Sequence, residues 1–125
     1  MVRGWGFFSK KQEDLTRLRE MLLTLNSLSM NLTRYSEVKG REPNVGKEPD
    51  LRLSMSLSDL RDFQRRLEGL NEGSLPPVVA RALNMMNSYA VIASIEGLDF
   101  VSTNLDAIAR STRWAISSLE QAVRG

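Results

Sequence analysis

Two long apolar stripes, one near each end of the chain, restrict the fold more than any other feature. Leu18, Met21, Leu25, Leu28, Leu32 and Tyr35 recur at alternating steps of three and four, with Leu15 and Leu22 widening the band. Leu98, Val101, Leu105, Ile108, Thr112, Ala115, Leu119 and Ala122 keep the same rhythm near the other end. Such spacing collects side chains on one face of an α-helix, and that face must be covered by another. Both stripes therefore predict long helices in a packed bundle.

The first helix is predicted over 9–39, because Ser9-Lys10-Lys11-Gln12 fits a capping box that satisfies free backbone donors. Residues 40–50 hold two prolines, two glycines and mixed charge, which reads as an exposed linker. Leu51, Leu53, Met55 and Leu57 then alternate with polar residues in a strand-like manner, but no second strand is available to pair with them. Leu57, Leu60, Phe63, Leu67 and Leu70 return to helical spacing, predicting a helix over 56–72 that could start as early as Asp50 and stops at Gly73.

Ser74-Leu75-Pro76-Pro77 opens a third helix over 76–96, with proline in the first turn, where its missing donor costs least. Between Arg81 and Glu96 this segment carries no charge, and apolar residues surround most of it. It is expected to be the buried centre of the bundle, while Arg81, Asn84, Asn87, Ser88 and Ser94 argue against a membrane span. The apolar phase shifts at Gly97, predicting a turn before a fourth helix over 98–124. The expectation is an all-α, single-domain bundle of about four amphipathic helices with coiled-coil-like seams. It comprises an aromatic and basic arm at 1–8 and the bundle domain at 9–125.

The chemistry available to this bundle is narrow. Its 125 residues include no cysteine and no histidine, which removes disulfides, thiolate and imidazole catalysis and the usual zinc ligands. Diiron bundles need Glu-x-x-His elements, and serine nucleophiles need a base that is missing here. Gly40 to Glu48 resembles a phosphate loop only loosely: five residues separate its glycines, and Glu48 stands where a hydroxyl would be required. Glu13–Arg17, Asp62–Arg66, Asp106–Arg110 and Glu120–Arg124 are favourable pairs four residues apart, so much of the surface charge needs no catalytic explanation. No enzymatic activity, cofactor, metal or small-molecule substrate is expected.

What remains is interaction. A non-catalytic assembly module is expected, self-associating or meeting another protein through the stripe residues Leu18, Leu25, Leu32, Leu98, Leu105, Ile108 and Leu119. An alternative is peripheral membrane contact, with Trp5, Phe7 and Phe8 at the lipid interface and Lys10 and Lys11 meeting anionic headgroups. The same five residues could instead dock onto protein. A second alternative is nucleic-acid binding through a basic strip at Arg61 and Arg65, with Arg52 as an extension, although nearby carboxylates and a net charge of only +2 dilute it. The first eleven residues lack the apolar core of a signal peptide, which points to a cytoplasmic location, with the membrane surface as the alternative.

Overall fold

The computed structural model describes residues 2–39, 47–70, 73 and 75–124, with side chains from residue 13 onward in the first of these segments. Among the described residues there are five helices and no strand: α1 (Val2–Lys39), α2 (Glu48–Glu68), α3 (Pro77–Glu96), α4 (Leu98–Thr103) and α5 (Leu105–Arg124). Neighbour contacts run from α1 to α2, α2 to α3, α3 to α5 and α5 back to α1, closing a four-cornered bundle. The short α4 lies across α2 and α3 near the turn into α5.

The first stripe behaves as its spacing requires. Leu18, Met21, Leu25, Leu28, Leu32, Tyr35 and Val38 are all buried along one face of α1. The helix that carries them is longer than expected, beginning at Val2. Ser9 is therefore an interior helical residue and not an N-cap, and residues 2–8 of the separate arm expected at 1–8 belong to α1. The side chains of Trp5, Phe7, Phe8, Lys10 and Lys11 lie outside the described residues.

The strand-like passage is helical. Glu48 and Asp50 occupy the first turn of α2, where carboxylates face the positive end of the helix dipole, and Pro49 supplies a pre-set backbone angle. That start precedes the expected one at 56, so the helix takes the end of the linker, whose residues 40–46 lie outside the described ones. Within α2, Leu53, Leu57, Leu60, Phe63 and Leu67 turn inward, while Leu51 and Met55 are exposed. The alternation is thus a superposition: two of its three leucines, Leu53 and Leu57, belong to the helical stripe.

α2 stops at Glu68 and not at Gly73. The Gly69 N–H bonds back to the Arg66 carbonyl at 3.2 Å and the Leu70 N–H to the Leu67 carbonyl at 3.0 Å, closing the helix in its last turn. A Cβ at Gly69 would meet the tip of the Arg17 guanidinium, so glycine here leaves room for an α1 side chain. Pro77 begins α3 directly after Pro76, and Ser74 lies outside the described residues.

The turn at Gly97 is present. With φ 78° and ψ −151°, Gly97 adopts a backbone conformation that is essentially closed to residues with a Cβ. The helix expected over 98–124 is instead broken once more at Asn104, whose side-chain amide donates to the Phe100 carbonyl at 2.9 Å. Beyond the break Ile108, Thr112, Ala115 and Leu119 are buried, whereas Leu98 is exposed and Leu105 only partly covered. Thr112 satisfies its buried hydroxyl by donating to the Ile108 carbonyl at 2.6 Å.

Candidate interaction surface

The stripe residues Leu18, Leu25, Leu32, Ile108 and Leu119 belong to one shared core with α2 and α3 residues of the same chain. In this fold they face their own bundle and offer nothing to a second copy. Surfaces that could meet a partner must be sought outside the two seams.

Beside the apolar seam between α1 and α2 runs a polar one. Thr24 Oγ1 donates to Asp62 Oδ2 at 2.8 Å, and Arg66 Nε donates to the same oxygen at 2.9 Å. Arg66 also reaches Glu20 on α1. One step along, Asp59 Oδ2 accepts from Ser27 Oγ at 2.9 Å and from Asn31 Nδ2 at 3.0 Å. Asn31 Oδ1 in turn accepts from Arg52 at 3.0 Å, and Arg34 Nε donates to Glu48 at 2.9 Å. Rising numbers on α1 meet falling numbers on α2, as antiparallel helices require. The α1 members Glu20, Thr24, Ser27, Asn31 and Arg34 repeat the four-three rhythm of the leucines, offset to one side.

The two aspartates on this seam respond to it in opposite ways. Burial pushes the Asp59 carboxyl above its ordinary value, and the Ser27 and Asn31 donors only partly offset that. Burial acts on Asp62 as well, but the Arg66 and Thr24 donors and the charges of Arg66 and Arg65 outweigh it and hold the carboxyl low. Arg66 is correspondingly raised by its bond to Asp62, and Arg34 by its bond to Glu48. Arg52 Nε is buried without a hydrogen-bond partner, 3.9 Å from Glu48.

The seam also decides what remains of the basic strip. Arg52 turns toward α1, leaving Arg61 and Arg65 exposed one turn apart. Glu68 is exposed on the next turn, so two cations and a carboxylate share that face. Of the four charge pairs expected from spacing, Asp62–Arg66 closes as an ion pair among the described residues.

The third helix departs furthest from expectation. It is not the buried centre: only a third of its most apolar stretch is covered. Val79, Ala82, Leu83, Met86, Ala90 and Ala93 face inward, and these are mostly small or thin side chains. Val78, Met85, Val91, Ile92 and Ile95 are exposed on the opposite side, Ile95 by 80%. At 100° per residue these five, with Arg81, Asn84 and Ser88, occupy one continuous outer face. Arg81 and Glu96 stand near its two ends, and among the described residues neither side chain has a hydrogen-bond or ion-pair partner. Past Glu96 the exposed Asp99 adds a second carboxylate beside a shallow depression lined also by Phe100, Thr103 and Asn104.

Both features had a trace in the sequence. The polar seam has its trace in Thr24, Ser27 and Asn31, which recur between the leucines at the same rhythm. On α3, Arg81, Asn84 and Ser88 follow one another at steps of three and four, which marks a solvent side even within an apolar helix. Helix α3 is long and apolar enough to cross a membrane by length and composition, a property shared by core helices of bundles. Among the described residues no cluster of acidic side chains is arranged to hold a metal ion. Comparison with protein-family models, with curated proteins and with solved structures finds no match to this chain.

Proposed function

We propose that this chain is a non-catalytic interaction module that binds protein through the outer face of α3. The observation that carries the reading is the exposure of Val78, Met85, Val91, Ile92 and Ile95 on one side of the most apolar helix, while both long stripes are filled from within. Single exposed apolar residues are ordinary, but a run of them along four helical turns favours a covered working state.

Protein is a better-matched occupant than lipid. An interfacial helix that meets anionic headgroups carries lysine and arginine beside its apolar face, whereas this one is flanked by Arg81 alone and ends on Glu96 and Asp99. Site-specific photocrosslinking tests the reading. A photoreactive phenylalanine analogue at position 92 should give a covalent adduct with protein in cells expressing the chain, and the same group at the exposed, polar Ser54 should not. Adducts with lipid, or equal labelling from both positions, would count against it.

A further inference from the structure

We infer that the outer face of α3 pairs with the same face of a second copy, the two helices running antiparallel about a twofold axis near Met86 and Asn87. The inference rests on the proposed protein-binding role of this face and names its occupant.

The first argument is charge. Between Pro77 and Glu96 the helix has two charged residues, Arg81 near its start and Glu96 at its end, opposite in sign and both without a side-chain partner among the described residues. Asp99 extends the negative end. Turning a second copy end for end brings each arginine to the other copy's carboxylates, twice over by symmetry. A parallel pairing would instead set arginine beside arginine and glutamate beside glutamate. The helix dipoles favour the same choice, since antiparallel neighbours place opposite partial charges together.

The second argument is register. Val78, Arg81, Met85, Ser88, Ile92 and Ile95 step by three and four, the spacing of a coiled-coil seam. In an antiparallel pair Val78 meets Ile95 of the second copy, Arg81 lies over its Ile92 with Glu96 one turn away, and Met85 meets its Ser88. The long residues thus oppose short or aliphatic ones, and the small Ser88 leaves a hole at the centre for the methionine knob. No carboxylate or lysine stands in the middle of this face to oppose such pairing.

A face one helix wide and about 30 Å long is small by the standards of permanent interfaces. The dimer is therefore reversible, dissociating at about 1 to 100 μM. Sedimentation equilibrium of the full chain over a concentration series tests this, with thermal melts confirming that each variant folds. Ile92→Asp should weaken association more than tenfold, and Arg81→Glu and Glu96→Arg by about tenfold each. Combining the two charge reversals should restore the affinity to within about threefold of the original, because each copy then presents glutamate to arginine.

A monomer at all concentrations overturns the proposal, as does a dimer indifferent to Ile92→Asp. A dimer lost on Ile92→Asp but not rescued by the charge swap overturns the antiparallel arrangement. Flotation of a monomeric chain with anionic phosphatidylserine vesicles, abolished by Ile92→Asp, would assign the face to lipid and overturn both this inference and the protein-binding reading. A monomer whose position 92 still crosslinks to a different protein sinks the dimer alone.

Discussion

The seam between α1 and α2 and the outer face of α3 invert each other. On the seam, Thr24, Asn31 and Ser56 are buried and Asp59 and Asp62 half-buried, yet nearly every polar atom finds a partner. On the face, valine, methionine and isoleucine are exposed to solvent, Ile95 most of all. The difference teaches that composition sets what a segment can bury, whereas its neighbours decide what it does bury. α3 contributes the small residues Ala82, Ala90 and Ala93 inward beside Leu83 and Met86, packed toward α2 and α5. Val78, Met85, Val91, Ile92 and Ile95 are left on the outside.

The contrast breaks most readily at the apolar core that both regions share. Phe63→Ala, at a fully buried position, should lower the unfolding free energy by about 3–5 kcal/mol in urea titration. Leu28→Ala, equally buried on α1, should cost about 2–5 kcal/mol. A loss below 1 kcal/mol at both sites would show that the stripes do not form the core.

Next in size is the backbone at the hinge between α3 and α4. Gly97→Ala should cost about 1–3 kcal/mol in the same titration, although the added methyl meets no atom within 4 Å, because only the left-handed backbone opposes it. Gly69→Ala makes the complementary control. Its backbone angle is ordinary and its obstacle is the tip of the flexible Arg17, so it should cost less than Gly97→Ala.

The polar seam sharpens the comparison through pH. Asp62 has a folded-state pKa below its unfolded value, so its contribution is present above the unfolded value and is lost as pH falls through the folded one. Asp59 has the opposite sign: its raised pKa favours folding when protonated, and that advantage disappears as pH rises through the folded value. Stability measured between pH 7 and pH 3 should therefore fall less steeply in Asp62→Asn and more steeply in Asp59→Asn than in the parent. At pH 7, Asp62→Asn should be the costlier of the two, by about 0.5–1 kcal/mol given that its carboxylate is a third exposed. Equal acid slopes in both variants would remove the seam from the electrostatics of folding.

Much of the fold was legible because it rests on periodicity. The α1 stripe from Leu18 to Tyr35, the α2 stripe from Leu57 to Leu67 and the turn at Gly97 all follow from spacing and from the needs of the backbone. What escaped depended on partners. Leu53 could be assigned to a helix only once α1 was known to lie beside it, and the burial of α3 depended on how many helices surround it. Arg52 looked like part of a cationic strip until Asn31 was placed opposite. The site was less legible still, since an outward face is defined by what is missing around it.

The smallest expected effects belong to the α3 face. Ile95→Ser should change the stability of the dilute chain by no more than about 0.5 kcal/mol, since at 80% exposure little contact is lost. The central claim, apolar residues outside on α3 and inside on α1, is tested most directly by thiol labelling, which the absence of native cysteine makes unambiguous. In dilute solution, Ile95→Cys should react with iodoacetamide about as fast as an unfolded peptide, and Leu28→Cys should react only when the chain unfolds. Protection of position 95 together with rapid native-state labelling of position 28 would contradict the account.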